Sequence, residues 1–306
     1  MVKHLAVLTI VIAAAMFPLP TRAQNAARTS FPAPDPGAPP ATANQEKHLD
    51  GWYNEVSAPP KDQMAAPAPR YDLSGVWEPA AGWRGGVQFL GAKEYPSDGK
   101  PQHELPYTAL GEKTWKSHKP GFGTTEVPIA LNNDPFDICD PIGFPRIELF
   151  NLRAIQIVQN PKQVLIFYQN DRTFRSIWTD GRGFPPEDIS EPRWYGYSIG
   201  KWEDDTTFVV ETTGLDERTW IDNVGRPHSS DLRVEERFHR VNHDIMELTL
   251  TINDPTMYTK PWNALNKFPL RLQPDSFDLR EMLCSPSEQA EFDKQVSKPA
   301  IAGAKK

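Results

Sequence analysis

Leu232-Arg233-Val234-Glu235-Glu236-Arg237-Phe238-His239-Arg240-Val241, followed by Asn242-His243-Asp244 and a second apolar-alternating run over 245–252, decides the fold class of this 306-residue chain. At a period of two, Leu232, Val234, Glu236 and Phe238 share one face, while Arg233, Glu235, Arg237 and His239 share the other; one face is therefore buried and one wet. The turn chemistry of Asn-His-Asp between two such runs makes the pair a hairpin. Working upstream, the unit recurs. Runs 155–159 and 163–169 flank Asn160-Pro161-Lys162, and 173–179 follows across Asn170-Asp171-Arg172. Runs 195–202 and 206–213 flank Glu203-Asp204-Asp205. A first strand is expected around Gly75-Val76-Trp77 and a last over 268–272, with no convincing helix between runs. The pattern predicts an all-β, antiparallel up-and-down meander of eight or nine strands, enough to curl into a barrel.

In such a meander, successive connections alternate between the two ends of the sheet. The tight turns 170–172, 203–205 and 242–244 are thus expected on one end. The long connections 180–193, 214–231 and 253–267 are expected on the other, beside the short turn 160–162. Binding residues concentrate on long loops held by a rigid scaffold, so the long-loop end is the expected functional face. Its candidate ligand-binding residues are Trp178, Asp180, Arg182, Asp216, Arg218, Trp220, Tyr258 and Trp262.

Outside the strands, the chain divides into segments. Residues 1–23 read as a secretory signal: Lys3 and His4, an apolar stretch over 5–17, then Thr21-Arg22-Ala23 before Gln24. That stretch falls short of the ~18 residues a bilayer span needs, so no stable membrane anchor is expected. Residues 24–70 are a Pro/Ala-rich linker, which favours extended, solvated chain. A barrel-like domain is expected over 71–293, including a loop-rich covering stretch at 79–150, with a disordered tail at 294–306. Export to the periplasm or beyond would favour joining the two cysteines, Cys139 and Cys284. Without the leader the chain keeps 31 basic against 40 acidic residues, a net charge of −9, because only Lys3 and Arg22 are lost from the 33 basic residues. No basic cluster interleaved with aromatics is present, so nucleic acid is not an expected partner.

Catalytic motifs are few. Gly196-Tyr197-Ser198-Ile199-Gly200 matches G-x-S-x-G but runs on into another strand, where a nucleophile elbow requires a helix. Glu236 stands on an otherwise apolar face, so it must be paired, protonated or functional; an ion pair with an arginine inside the barrel is the structural alternative to catalysis. His228 follows Pro227 in the 214–231 loop with Asp216, Glu217, Asp222 and Asp231 nearby, a setting that suits acid–base work or a hydrogen-bonded turn. The scattered histidines include no H-E-x-x-H, and there is no C-x-x-C, G-x-G-x-x-G or P-loop; neither a metal nor a nucleotide cofactor is indicated.

Cys139-Asp140-Pro141 with Gly143-Phe144-Pro145-Arg146, Trp178 to Arg182, Gly196 to Trp202, Thr212-Thr213-Gly214, Thr219-Trp220, Pro227-His228-Ser229, Glu236-Arg237 and Asp254-Pro255 to Trp262 together resemble a broad group of uncharacterised secreted bacterial β-rich proteins. That resemblance covers about 130–290 and implies no activity. Gly75-Val76-Trp77 is similar to the G-x-W on the first strand of lipocalin-like (calycin) barrels, which implies a barrel around one small ligand. The expected function is binding of a small apolar or aromatic molecule at a long-loop mouth. The alternative is a metal-free, nucleotide-free lyase, isomerase or hydrolase in which His228 and Glu236 act as acid and base and Arg182 or Arg218 holds an anionic group. A third reading is a structural envelope protein with a filled barrel.

Overall fold

The computed structural model describes residues 66–80, 89–149, 153–186, 191–279 and 282–304. The expected signal segment and all but the last five residues of the expected linker lie outside the described residues. Those five dock on the barrel: His243 N–H donates to the Ala66 carbonyl, and Arg70 pairs with Asp205.

Nine strands form one closed barrel in chain order: β1 Gly75–Pro79, β2 Ile155–Asn160, β3 Gln163–Tyr168, β4 Phe174–Trp178, β5 Tyr197–Trp202, β6 Thr207–Thr213, β7 Arg233–Arg240, β8 Ile245–Asn253 and β9 Trp262–Leu272. β9 closes on β1 through Trp77↔Leu272 and Pro79↔Leu270. The last strand starts at Trp262 rather than 268, and its irregular register against β8 near Leu250 marks a bulge.

One pairing corrects the up-and-down expectation. β4 and β5 run parallel, through Ile177↔Ser198 and Trp178↔Ile199. The chain therefore leaves β4 at one end and crosses to the other before starting β5, as parallel neighbours require. Strand directions then place turns 161–162, 203–206 and 241–244 at one end. The turn 169–173 lies at the opposite end, with connections 214–232 and 254–261 and both ends of the segment between β1 and β2. Turns 160–162 and 170–172 thus exchange the ends expected for them.

Each turn at the first end is built on a side-chain oxygen. Asn160 Oδ1 accepts from Lys162 and Gln163 N–H, Asp204 Oδ1 from Thr206 and Thr207, and Asn242 Oδ1 from Asp244 and Ile245. These Asx turns satisfy the backbone donors where the hairpin reverses.

Inside, the period-two faces meet. Trp77, Ile157, Ile166, Tyr168, Ile177, Phe208, Val210, Phe238, Leu248 and Leu270 are among the buried core, so side chains occupy the interior where a ligand-holding barrel would keep space. Gly200 makes room for one of them: a Cβ there would stand 2.4 Å from Phe208 Cζ.

Residues 89–149 cover the long-loop end. Their longest helix, α1 (Ala109–Ser117), is N-capped by Thr108, whose Oγ1 accepts from Gly111 N–H. Gly111 packs so closely on Met257 that a Cβ would meet the Met257 carbonyl oxygen at 2.0 Å. The short helix α2 (Arg146–Leu149) follows a cis Phe144–Pro145 bond and is buried throughout. Arg146 locks it to Asp134 with two bonds of 2.6 and 2.5 Å. Cys139 and Cys284 form the expected disulfide, with Cα atoms 5.5 Å apart across 145 residues of sequence. Beyond it, α3 (Pro286–Phe292), a π-helical turn Asp293–Ser297 and α4 (Lys298–Ala304) make the chain helical through most of the stretch expected to be a disordered tail.

The bridge closes a loop long enough to be worth roughly 4–5 kcal/mol in the chain-entropy model. Thiol titration of unfolded, unreduced protein should find no free thiol, and Cys139→Ser with Cys284→Ser should lower the urea midpoint by an amount equivalent to roughly 2–5 kcal/mol.

Candidate functional site

Arg175 on β4 points into the barrel and is almost wholly buried. Its Nη1 and Nη2 donate to Glu236 Oε1 and Oε2 at 3.0 and 2.7 Å, a bidentate pair with the β7 carboxylate. Nη2 also reaches Ser198 Oγ on β5 and Thr212 Oγ1 on β6, at 3.2 and 3.1 Å. Glu148 of α2 enters from the loop end, where its Oε1 accepts from Tyr168 Oη at 2.6 Å and from Arg175 at 3.5 Å. The Phe144 ring lies 3.6 Å from the guanidinium carbon. The residues 142–149 therefore plug the barrel, with one carboxylate engaged in its polar core.

Two buried carboxylates surround one guanidinium. Burial first, and then the charge of Glu236, push the Glu148 carboxyl up to about 8. Glu148 Oε2 meets no donor among the described residues. A proton on Glu148 reduces the cluster to one positive and one negative charge. The arginine-paired reading of Glu236 is the one the geometry bears, and Ser198 of the G-x-S-x-G stretch is a partner of that pair.

His228 belongs to a different network. Its Nδ1 lies 3.2 Å from the Ser229 carbonyl oxygen, and its Nε2 lies 2.7 Å from the Thr219 hydroxyl, which also bonds the Asp216 carbonyl. Burial pushes the imidazole below its usual range, so it stays neutral. No hydrogen bond or ion pair joins it to Glu236 among the described residues, so the two expected acid–base partners are held in separate networks.

The loop that carries His228 is not the open rim expected of it, since 219–229 are buried beneath the covering segment. Asp222 accepts from Ala92 N–H and Arg226, while Trp115 Nε1 and His118 Nδ1 bond the carbonyls of Val224 and Gly225. Trp220 stacks on His118 at 4.7 Å. Tyr258 and Trp262 are also buried, ring to ring at 5.4 Å, with Tyr107 and Tyr95 of the covering segment against them. Asp254 receives Ser229 N–H and Oγ, Thr256 N–H and Met257 N–H. Three expected ligand aromatics are thus core residues. Of the others, Arg182 chelates Asp180 and lies 3.4 Å from the Trp178 ring, while Arg218 chelates Asp216 over Trp194.

A cleft of about 570 Å³ lies instead on the outer wall at the loop end. Its floor is a cross-strand row: Tyr197 on β5 faces Thr213 on β6, and Arg233 on β7 faces Asn253 on β8. The pairing Thr212↔Val234 brings the two halves side by side. These four point outward because Ser198, Thr212, Val234 and Ile252, their neighbours in sequence, point inward. Phe184, Pro185 and Pro192 of the crossing connection wall one side, and Leu215, Asp231 and Pro255 come from the other two long connections. All three long connections therefore do gather at one rim, because the crossing segment returns along β5 and sets Phe184 edge-on to Tyr197 at 6.2 Å.

No protein-family model matches the chain, and no curated protein or solved structure shows significant similarity to it.

A carboxyl whose folded pKa is raised contributes stability that is fully present below the unfolded value of 4.5 and is lost as pH rises through about 8. Half-buried His118 and buried His228, both lowered by burial, act in the opposite sense below the ordinary histidine value of 6.5 and are flat above it. Between those limits, urea unfolding of the wild type should lose up to about 1.4 kcal/mol per pH unit. Glu148→Gln, which keeps an acceptor for Tyr168 and cannot ionise, should flatten that slope; equal slopes in the two proteins would overturn the raised Glu148 carboxyl. Arg175→Met strands both carboxylates and should cost roughly 3–5 kcal/mol in the same measurement.

Proposed function

We propose that this protein is exported and binds a small apolar or aromatic molecule in the outer cleft, with the barrel serving as a packed scaffold. The observation that carries the reading is the cleft itself: about 570 Å³ of space where three long connections converge on one rim. That volume suits a small-molecule site, and its lining divides about equally between apolar surface, from Phe184, Tyr197, Leu215 and prolines, and polar surface. Tyr197 is half-buried on a rigid strand, so its ring can stack on a ligand at little entropic cost.

Export is supported by the leader-like first 23 residues and by the Cys139–Cys284 disulfide, which suits an oxidising compartment. No helix among the described residues is long and apolar enough to cross a membrane.

The fluorescent neutral aromatic 1-pyrenebutanol tests the site. Tyr197→Ala and Phe184→Ala should each weaken its binding roughly tenfold, the usual scale for losing an aromatic anchor. Phe174→Ala, an exposed ring on the wall outside the cleft lining, should leave binding unchanged. Wild-type affinity in both cleft variants, with wild-type melting temperatures, would place the site elsewhere.

A further inference from the structure

The charges around the cleft are unevenly committed. Arg182, Arg218, Arg237 and Arg70, all at the surface, each hold a carboxylate. The Arg233 side chain, on the cleft floor, makes no hydrogen bond or ion pair with any described residue, and neither does the Asn253 side chain across from it in register. Arg193, at the cleft edge, holds no carboxylate among the described residues and lies over the Tyr197 ring at 5.4 Å. Asp231, the carboxylate among the described lining residues, is hydrogen-bonded to Thr256 and forms no salt bridge with Arg233. In a chain with formal net charge −7, two arginines without carboxylates at one small cleft are a local reversal of sign.

The floor is also graded. It runs from the Tyr197 ring through the Thr213 hydroxyl to the Arg233 guanidinium and the Asn253 amide, one side chain per strand. Two strand spacings separate the tyrosine from the arginine, roughly 10 Å between strand lines. A molecule lying along the row therefore meets an aromatic surface at one end and a planar, five-donor cation at the other. Guanidinium recognises carboxylate best in that setting, through paired N–H···O bonds.

Building on the cleft as the binding site, we propose that its ligand is an aromatic carboxylate: a flat ring against Tyr197 and Phe184, a short spacer passing Thr213, and a carboxylate held by Arg233 with the Asn253 amide beside it. The overall acidity of the protein repels anions elsewhere on the surface, which confines this recognition to the cleft.

Two probes that share ring and spacer and differ in the terminal group separate this inference from the reading beneath it. 1-Pyrenebutyrate should bind wild-type protein roughly tenfold more tightly than 1-pyrenebutanol at low ionic strength, the scale of one charge-assisted pair. Added salt should narrow the gap, because the arginine is exposed. In Arg233→Gln the ratio of the two affinities should fall to about one. Equal affinities in the wild type, or a ratio that survives Arg233→Gln, would overturn the carboxylate assignment. If Tyr197→Ala and Phe184→Ala alter the binding of neither probe, the failure belongs to the cleft as a site.

Discussion

Arg175 holds a guanidinium inside a closed barrel, and much of the architecture can be traced from what that charge requires. Burying it costs several kcal/mol unless its donors are met. β7 meets them with Glu236, β5 with Ser198 and β6 with Thr212. β3 sends Tyr168, and the plug brings Glu148 and lays Phe144 over the planar face. A single side chain therefore ties four strands and a helix that are far apart in sequence. Replacing the cluster with hydrocarbon could stabilise the barrel further, as buried ion pairs often allow. What the charges add is a common meeting point: β5, β6, β7 and the plug each bring a partner to one guanidinium.

The same plug redirects the search for function outward. With 142–149 seated in the loop end and 89–134 packed over 214–231, that mouth is built shut. The covering segment is fastened to that loop by Ala92 N–H on Asp222 and by Trp115 and His118 on the Val224 and Gly225 carbonyls, and the Cys139–Cys284 bridge ties it covalently to the chain beyond β9. The open concavity instead lies where β5 to β8 present their outer faces beneath the crossing connection. A parallel strand pair is what creates it: an antiparallel β5 would have followed β4 through a local turn, with no segment returning along the wall.

Several of these features were legible in the residues. The two-residue period around Glu236 marked a carboxylate on an apolar face, and an internal arginine was its expected partner. Asn160, Asp204 and Asn242 marked hairpins that the structure contains, and the cysteine pair joined as export would favour. Other features were not legible, for physical reasons. Nothing in 179–196 distinguishes a loop that returns locally from one that crosses. The 214–231 loop reads as polar and therefore open, yet Asp222, Asp254 and His228 spend their polar atoms on protein groups, several of them backbone, and so can be buried. Arg233 falls on the wet face of its strand, as the period of two requires. Its companionship with Tyr197 depends on register across three strands, which no local pattern encodes. Glu148 stands in a segment without periodicity, so no local pattern marks it as a residue of the barrel interior.

The ladder around the barrel is uneven. β7 and β8 share eight register pairs, whereas β4 and β5 share two. Across that thin seam the contact from Arg175 to Ser198 acts as a side-chain rivet where backbone rungs are missing. Breathing of the wall should therefore begin there, since local opening follows the fewest buried hydrogen bonds. Any such opening admits solvent straight to the Arg175–Glu236 pair and the Glu148 carboxyl beside it. The mechanical weak point and the ionic centre of the molecule are one location, so loosening either loosens both.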